Sequence, residues 1–400
     1  MANFELFQIL FWLLFFLVFY AYIGYGMVLF LLIKLKRVFR SKPSNISLDE
    51  DQWPEVTFMV AAYNEERWIE TKLENCFAFD YPKEKLHFLF VTDGSDDRTP
   101  EIIKKYQLPQ GIQLRLFHSP ERRGKIAAVD RVMEFVQTPI VIYTDANTLV
   151  NEMAIKNIVR HYENAKVGAV AGEKRIQLNA KDEASSAGEG IYWKYESQLK
   201  KWDSELYSVV GAAGELFSIR TNLYEAVAKD TIIEDFYMTL RIAQKGYRVI
   251  YEPEAYAVET SSASVGEELK RKIRIAAGGL QAISRLMPLL NIFKYGMLTF
   301  QYVSHRVLRW TLAPLALPLI LALNIILAMS GSPLYQVLLM AQIAFYSMAI
   351  IGYLLEQRKL KFKAFFVPYY FCMMNYAVYR GFGRFMKGSQ SVVWERAKRA

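Results

Sequence analysis

The segment T-F-M-V-A-A-Y-N-E-E (57–66) decides the reading of this chain. An apolar run of strand length drives into a polar turn and the start of a helix, where backbone N–H groups and short side chains can meet a nucleotide. It lacks the G-x-G-x-x-G turn of dinucleotide binders, which argues against an oxidoreductase. Working outward, further strand-length runs are expected at Val56 to Ala61, Phe88 to Thr92, Gln113 to Phe117, Ile140 to Thr144 and Val167 to Ala171. Helix-length amphipathic segments separate them, and that alternation predicts a mostly parallel α/β sheet. Asn64 and Glu65, Asp93, and Asp145 each follow a strand. In an open sheet the carboxyl ends of the strands form the ligand crevice, so these residues are expected to converge.

The rest of the chain is too apolar for an ordinary soluble enzyme: 53% of its 400 residues are hydrophobic and 14% aromatic. Phe7 to Ile33 carries no charge over about 27 residues, enough to span a bilayer. Lys34, Lys36, Arg37 and Arg40 after it set a cytoplasmic flank by the positive-inside rule. A cleaved signal peptide is not expected, since no basic n-region precedes the run and no small-residue cleavage site follows it. Trp310 to Met329 and Leu334 to Leu355 predict a second and third span around the turn S-G-S-P (330–333). Between domain and hairpin, 267–281 and the stretch through Arg309 read as amphipathic helices at the membrane interface. The run Ala364 to Val378 is only about 15 residues long, so 364–386 is re-entrant, interfacial or a fourth span.

The net charge of +9 resides largely in clusters beside apolar runs, at 34–37, 356–363 and 394–399. Such clusters suit anionic membrane lipids, and no nucleic-acid partner is expected. Cys76 and Cys372 lie in unlike surroundings and form no disulfide framework, which fits a reducing cytoplasm. The expected organisation is a helix and basic flank at 1–40, a cytoplasmic domain at 45–260, amphipathic helices at 261–306, a membrane hairpin at 307–355, the ambiguous helix at 364–386 and a basic tail at 387–400.

Three further segments carry chemistry. In F-V-T-D-G-S-D-D-R-T (90–99), Asp93 ends a strand and suits the base or ribose of a nucleotide, while Asp96 and Asp97 suit helix capping. In V-I-Y-T-D-A-N-T (141–148), Asp145 and Asn147 stand two apart, on one side of an extended backbone. They could hold Mg²⁺ or Mn²⁺ against a diphosphate, or simply form a turn. In T-I-I-E-D-F-Y (231–237), Glu234 and Asp235 precede a helix, where acids complement the dipole or act chemically. Arg271 and Arg274 share a helix face that could grip a diphosphate or a lipid surface. Trp193, Tyr195, Trp202, Trp310 and Trp394 could line a sugar path, or simply pack and anchor.

In this order, A-A-Y-N-E-E, V-T-D-G-S-D-D, R-R-G-K (122–125), T-D-A-N, G-A-A-G-E-L-F (211–217), I-E-D and R-K-I-R resemble the membrane-bound branch of glycosyltransferase family 2, which includes hyaluronan, chitin, cellulose and poly-N-acetylglucosamine synthases. The resemblance implies a GT-A fold, a Rossmann-like nucleotide-sugar-binding domain inserted between transmembrane helices. It implies an inverting transfer from a nucleotide-sugar, with UDP the expected carrier, to a glycan or lipid-linked acceptor. It further implies Ala62, Asn64, Glu65, Asp93, Lys125, Asp145, Arg271 and Arg274 at the donor, and Gly211, Ala212, Ala213 and Gly214 at the acceptor. Asp145 and Asn147 would serve Mg²⁺ or Mn²⁺, with Asp235 as base and Glu234 as its neighbour. Two positions depart from the family pattern. The stretch corresponding to Q-x-x-R-W reads Arg271 to Ile275 and has no aromatic, and Asn147 stands where a second Asp is usual. Single addition to a polyprenyl-linked acceptor, a non-catalytic nucleotide-sugar-binding subunit, and export or accessory partners all stay open at this point.

Overall fold

The computed structural model describes residues 2–39, 52–177, 185–260, 265–358 and 362–388. Arg40, Lys359, Lys361, Trp394 and most of the basic tail lie outside the described residues.

The first helix is apolar on all sides, as expected of a segment facing lipid. It comprises α1 (Ala2–Phe19), a π-helical turn (Tyr20–Gly24) and α2 (Tyr25–Phe39), and its apolar part, Phe4–Phe39, is long enough to cross a membrane.

The domain that follows is built on eight strands: β1 (Val56–Ala62), β2 (Leu86–Asp93), β3 (Gln113–Ser119), β4 (Ile140–Asp145), β5 (Leu149–Val150), β6 (Val167–Gln177), β7 (Leu216–Arg220) and β8 (Arg248–Thr260). They form one sheet in the order β3-β2-β1-β4-β7-β6-β8-β5. Six helices connect them: α3 (Ile69–Phe77), α4 (Thr99–Lys105), α5 (Lys125–Met133), α6 (Ala154–Val159), α7 (Ser185–Leu206) and α8 (Glu234–Gln244). The core strands are buried on both faces, β1 and β4 almost throughout, because helices cover the sheet on either side.

The expectation of a mostly parallel sheet holds for four of its seven strand pairings, and the other three are antiparallel. The run β3-β2-β1-β4 and the pair β6-β8 are parallel, whereas β7 is antiparallel to both β4 and β6, and β5 to β8. The sheet is mixed because β7 returns through its middle. That strand is only L-F-S-I-R, and β8 intersperses charged residues and a proline among its apolar ones. Neither gives the continuous apolar run that marks a buried parallel strand.

Beyond the domain, α9 (Val265–Arg285) packs against the last helix, and its Glu268 and Lys272 are buried in an ion pair. Short helices α10 (Ile292–Tyr295), α11 (Met297–Tyr302) and α12 (Leu308–Trp310) follow, with a second π-helical turn at Val303–Val307. Helices α13 (Leu312–Met329) and α14 (Pro333–Gln357) are the other two segments long and apolar enough to cross a membrane. The last helix, α15 (Lys363–Met386), runs 24 residues and includes Pro368. It would extend about 36 Å, yet it is not among the three apolar enough to qualify as a span.

Candidate active site

The carboxyl ends of β1, β2 and β4 border an open cleft of about 670 Å³, lined among others by Ala62, Tyr63, Glu65, Asp93, Lys125, Asp145 and Asn147. Six of the residues assigned to donor or metal from the sequence therefore share one cavity. Asn64 stands at its edge, with φ 54°, and its side-chain amide donates to Asp96 at 2.5 Å while accepting from the Asp96 backbone N–H at 3.0 Å. Asp97 accepts from the Thr99 backbone N–H at 2.9 Å and from the Glu66 N–H at 3.1 Å, but the cap position of α4 is Arg98 with no side-chain cap, so neither Asp96 nor Asp97 caps that helix as expected.

Asp93 does more than face the cleft. Its Oδ2 accepts from the backbone N–H groups of Arg123 (2.7 Å) and Gly124 (2.6 Å), and Oδ1 receives the Arg131 guanidinium at 3.4 Å. The carboxylate thus pins the R-R-G-K loop over the end of β2. On that loop the Arg122 guanidinium lies over the Tyr63 ring at 3.8 Å.

Lys125 begins α5 and projects its ammonium between two acids from distant segments, Asp145 at 2.9 Å and Glu234 at 3.0 Å. Burial alone would make the ammonium easier to deprotonate, but Asp145 and Glu234 outweigh it, so Lys125 is held charged. Burial likewise opposes ionisation of Glu234, and Lys125 reverses that, holding its carboxyl below the ordinary range. Asp235 has the opposite fate: burial, then the charge on Glu234, push its carboxyl up to about 7 against the pull of Lys125. Neighbouring acids with divergent proton affinities are the signature of an acid–base site.

The G-A-A-G turn comes against these acids. A side chain at Gly214 would begin 3.3 Å from Asp235 Oδ2 and 3.6 Å from Lys125 Nζ, so glycine leaves the space above the carboxylate open. Gly211 holds φ +84°, and a Cβ there would lie 2.1 Å from the Phe236 ring. Between them the Ala212 N–H donates to Thr239 Oγ1 at 3.1 Å, Thr239 donates back to the Asp235 carbonyl at 2.7 Å, and the Ala213 carbonyl receives the Leu216 N–H at 3.4 Å. The turn and α8 are thus one hydrogen-bonded unit.

Arg271 and Arg274 of α9 separate. Arg274 reaches the Ile232 carbonyl at 3.3 Å and its charge is felt by Glu234. Arg271 sits in a neighbouring ionic cluster, paired with Glu268 at 3.1 Å and Glu259 at 3.5 Å. Of the aromatics, Tyr195 donates to the Tyr22 carbonyl, Trp202 packs on Phe30 and Trp310 on Phe236.

For Mg²⁺ or Mn²⁺, no group of three or more His, Cys, Asp or Glu side chains able to hold a metal ion occurs among the described residues. Asn147 Oδ1 is nevertheless buried with no hydrogen-bond partner, in the cavity that Asp145 also lines. Two hard oxygen donors lining this cleft fit a divalent ion that takes its remaining ligands from phosphate and water.

Reasoning from the sequence missed several charges near the site, Lys72 and Glu215 among them. Lys72 on α3 is fully buried beneath β4, donating to the Thr148 carbonyl at 2.8 Å, and burial lowers its proton affinity to about 8. A lysine within the apolar stripe Ile69, Lys72, Leu73, Cys76 is the signal that could have found it. Glu215 follows Gly214 directly and pairs with Lys174. Only its place in a quoted motif pointed to it.

A cleft at the strand ends beside a buried acid pair sits on a GT-A glycosyltransferase fold. Residues 57–227 match the family model described as glycosyl transferase family 2. That segment is thus similar to family 2 glycosyltransferases, and the chain is similar in sequence to poly-N-acetylglucosamine synthases. It is 28% identical over 267 residues to poly-beta-1,6-N-acetyl-D-glucosamine synthase of Staphylococcus aureus strain COL, covering 65% of this chain and 62% of that protein. To the synthase of the same name from Staphylococcus epidermidis it is 24% identical over 284 residues, covering 68% and 67%. The chain therefore spans about 62% of the length of the Staphylococcus aureus relative. Among solved structures, the mannosyltransferase PcManGT from Pyrobaculum calidifontis, in complex with GDP-Man and Mn²⁺, superposes with a TM-score of 0.72 at 23% identity, covering 95% of this chain and all of that one. That likeness establishes the fold.

Proposed function

We propose that this chain is an inverting glycosyltransferase that moves a sugar from a nucleotide-sugar, UDP being the expected carrier, onto a growing polysaccharide or lipid-linked glycan at the cytoplasmic face of a membrane. The observation that carries this reading is the Lys125 ammonium bridging Asp145 and Glu234, with Asp235 raised to about 7 beside them. In the proposed organisation residues 45–260 form the cytoplasmic transferase, 261–306 the interfacial helices and 307–355 the membrane hairpin. Residues 45–51 lie outside the described ones.

In the mechanism proposed, the nucleoside stacks and hydrogen-bonds around Tyr63, Asp93 and the R-R-G-K loop, and its diphosphate lies toward Lys125. Asp145 and Asn147 would hold Mg²⁺ or Mn²⁺, which when bound neutralises charge on the diphosphate. The acceptor enters over Gly211–Gly214, and its hydroxyl proton passes to Asp235 as the oxygen bonds to the anomeric carbon. The bond to the diphosphate breaks with inversion, and the leaving oxygens remain opposite the cations of Lys125 and Arg274. A carboxyl that titrates near 7 is matched to accepting a proton at cellular pH.

A second reading, one sugar added to a polyprenyl-linked acceptor, is favoured by a specific observation: Arg271 to Ile275 presents no aromatic for stacking a glycan. Incubating the purified chain in lipid with a panel of labelled nucleotide-sugars, with and without Mg²⁺ or Mn²⁺, tests both. Polymer supports the first reading and a single-sugar glycolipid the second. Absence of transfer from every donor in the panel contradicts both.

A further inference from the structure

Helix α7 presents two stripes. Tyr195, Leu199, Trp202 and Leu206 pack with Tyr25 and Leu29 of the first membrane helix, and Asp203 accepts a hydrogen bond from Tyr25. The other stripe, with Trp193, Ser197 and Lys200, turns toward β6, β8 and α9. There Ser197 donates to Glu173 at 2.6 Å, and Tyr251 donates to the same carboxylate.

Lys200 stands out on this second stripe. It is 5% exposed, and among the described residues its ammonium has no hydrogen bond or ion pair. Its contacts are the rings of Trp193 at 5.8 Å and Tyr251 at 5.7 Å. Two more buried lysines stand over the same Trp193 ring, Lys174 at 5.7 Å and Lys272 at 5.1 Å. These have counter-charges, Lys174 pairing with Glu215 and Glu259 and Lys272 with Glu268 at 3.4 Å. Lys200 has none in contact among the described residues. Burial weakens its hold on the proton and Glu173 restores part of it, while Arg306 adds a further positive charge nearby. An ammonium with no counter-charge in contact, on a side chain that is largely out of water, favours an anion that can reach it.

We propose that Lys200, with Lys174 and Lys272 around Trp193, forms a subsite for the phosphate or diphosphate group of a phosphorylated acceptor. The inference rests on the transferase reading and narrows its acceptor class. Its location suits that role, because Glu215, the partner of Lys174, directly follows Gly214 and its charge is felt at Asp235. The subsite therefore adjoins the acceptor turn, whereas the Asp93 cleft lies at the donor. A neutral glycan is a poorer fit: the Trp193 ring already carries ammonium groups, and a hydroxyl brings no counter-charge. Since the other stripe of α7 packs on a membrane helix, a phosphate borne on a lipid would arrive along the same element.

The test uses the full chain in detergent, with retention of polyprenyl phosphate and of polyprenol measured by native mass spectrometry for wild type, Lys200→Gln and Lys200→Arg. The subsite requires wild type and Lys200→Arg to hold polyprenyl phosphate at least about tenfold better than polyprenol, and Lys200→Gln to lose that preference. Inorganic phosphate in excess separates the sources: displacement of the lipid points to soluble sugar phosphates, and its failure to displace points to a lipid-borne group. Equal retention of polyprenol and polyprenyl phosphate by wild type overturns the proposal, even if Lys200→Gln does not fold. So does an unchanged preference in a folded Lys200→Gln. Sugar transfer measured on the same samples separates the two levels: transfer with no phosphate preference sinks only the subsite, whereas loss of the transferase reading would appear as no transfer at all.

Discussion

Asp235 carries the sharpest expectations, because its environment fixes their sign. Its carboxyl titrates at about 7 in the fold, far above its value in the unfolded chain. As the proposed base it must be ionised, so transfer should fall about tenfold per unit as pH drops below about 7. A pH–rate profile checks this. Lys125→Met removes the charge that opposes the rise, so the acid limb should move to higher pH in that variant. Asp235→Asn should lower transfer on the order of 10²- to 10⁴-fold while leaving nucleotide-sugar binding in place. Between the unfolded and folded values the native state holds a proton that the unfolded chain has lost, so stability falls as pH rises through that window and stays lower above it. Asn has no such penalty: the variant should melt above wild type at about pH 8, with the gap closing toward about pH 4. Much of this could be read in advance, since Asp93, Asp145 and Asp235 end strands or start helices within short polar motifs. Lys200 could not, because a lysine in an amphipathic pattern normally signals solvent, and only packing revealed its burial.

At the level of elements, motif order anticipated the structure better than hydrophobic periodicity did. The five strands expected from apolar runs are present, extended by one to several residues at their ends. The antiparallel β7 and the long β8 escaped notice, as the first is five residues and the second is broken by charges. Yet β7 follows directly from the acceptor turn, so the element hardest to read holds Gly211–Gly214 against α8. Gly211→Ala should be costly, because φ +84° disfavours any side chain and the new Cβ would meet Phe236 next to the base. A loss of roughly 1–3 kcal/mol from backbone strain, with clash added, should appear as a lower melting temperature and reduced transfer.

In the whole molecule, the domain is joined to its apolar helices by a buried polar junction. Asp203 accepts from Tyr25 and meets His305 Nδ1 at 2.5 Å, while Glu196 takes Arg306 at 3.2 Å and pairs with Arg309. Both π-helical turns meet there, through the Tyr20–Ser304 hydroxyl pair at 2.8 Å. Composition announced three apolar segments, and three qualify as candidate spans, but this junction depends on partners more than 100 residues apart and left no local pattern. Glu196→Gln would leave its arginines short of a counter-charge, and a loss of roughly 3–5 kcal/mol is expected, measurable by chemical denaturation in detergent.

In the proposed enzyme, distant acids and Lys125 surround the diphosphate of a bound donor. A structure of the full chain with a non-transferable nucleotide-sugar and Mn²⁺ tests it most directly. The expected density has the diphosphate among Lys125, Asp145 and Asn147, with the anomeric carbon facing Asp235. A donor bound elsewhere, with Asp235 remote from the sugar, would contradict the account.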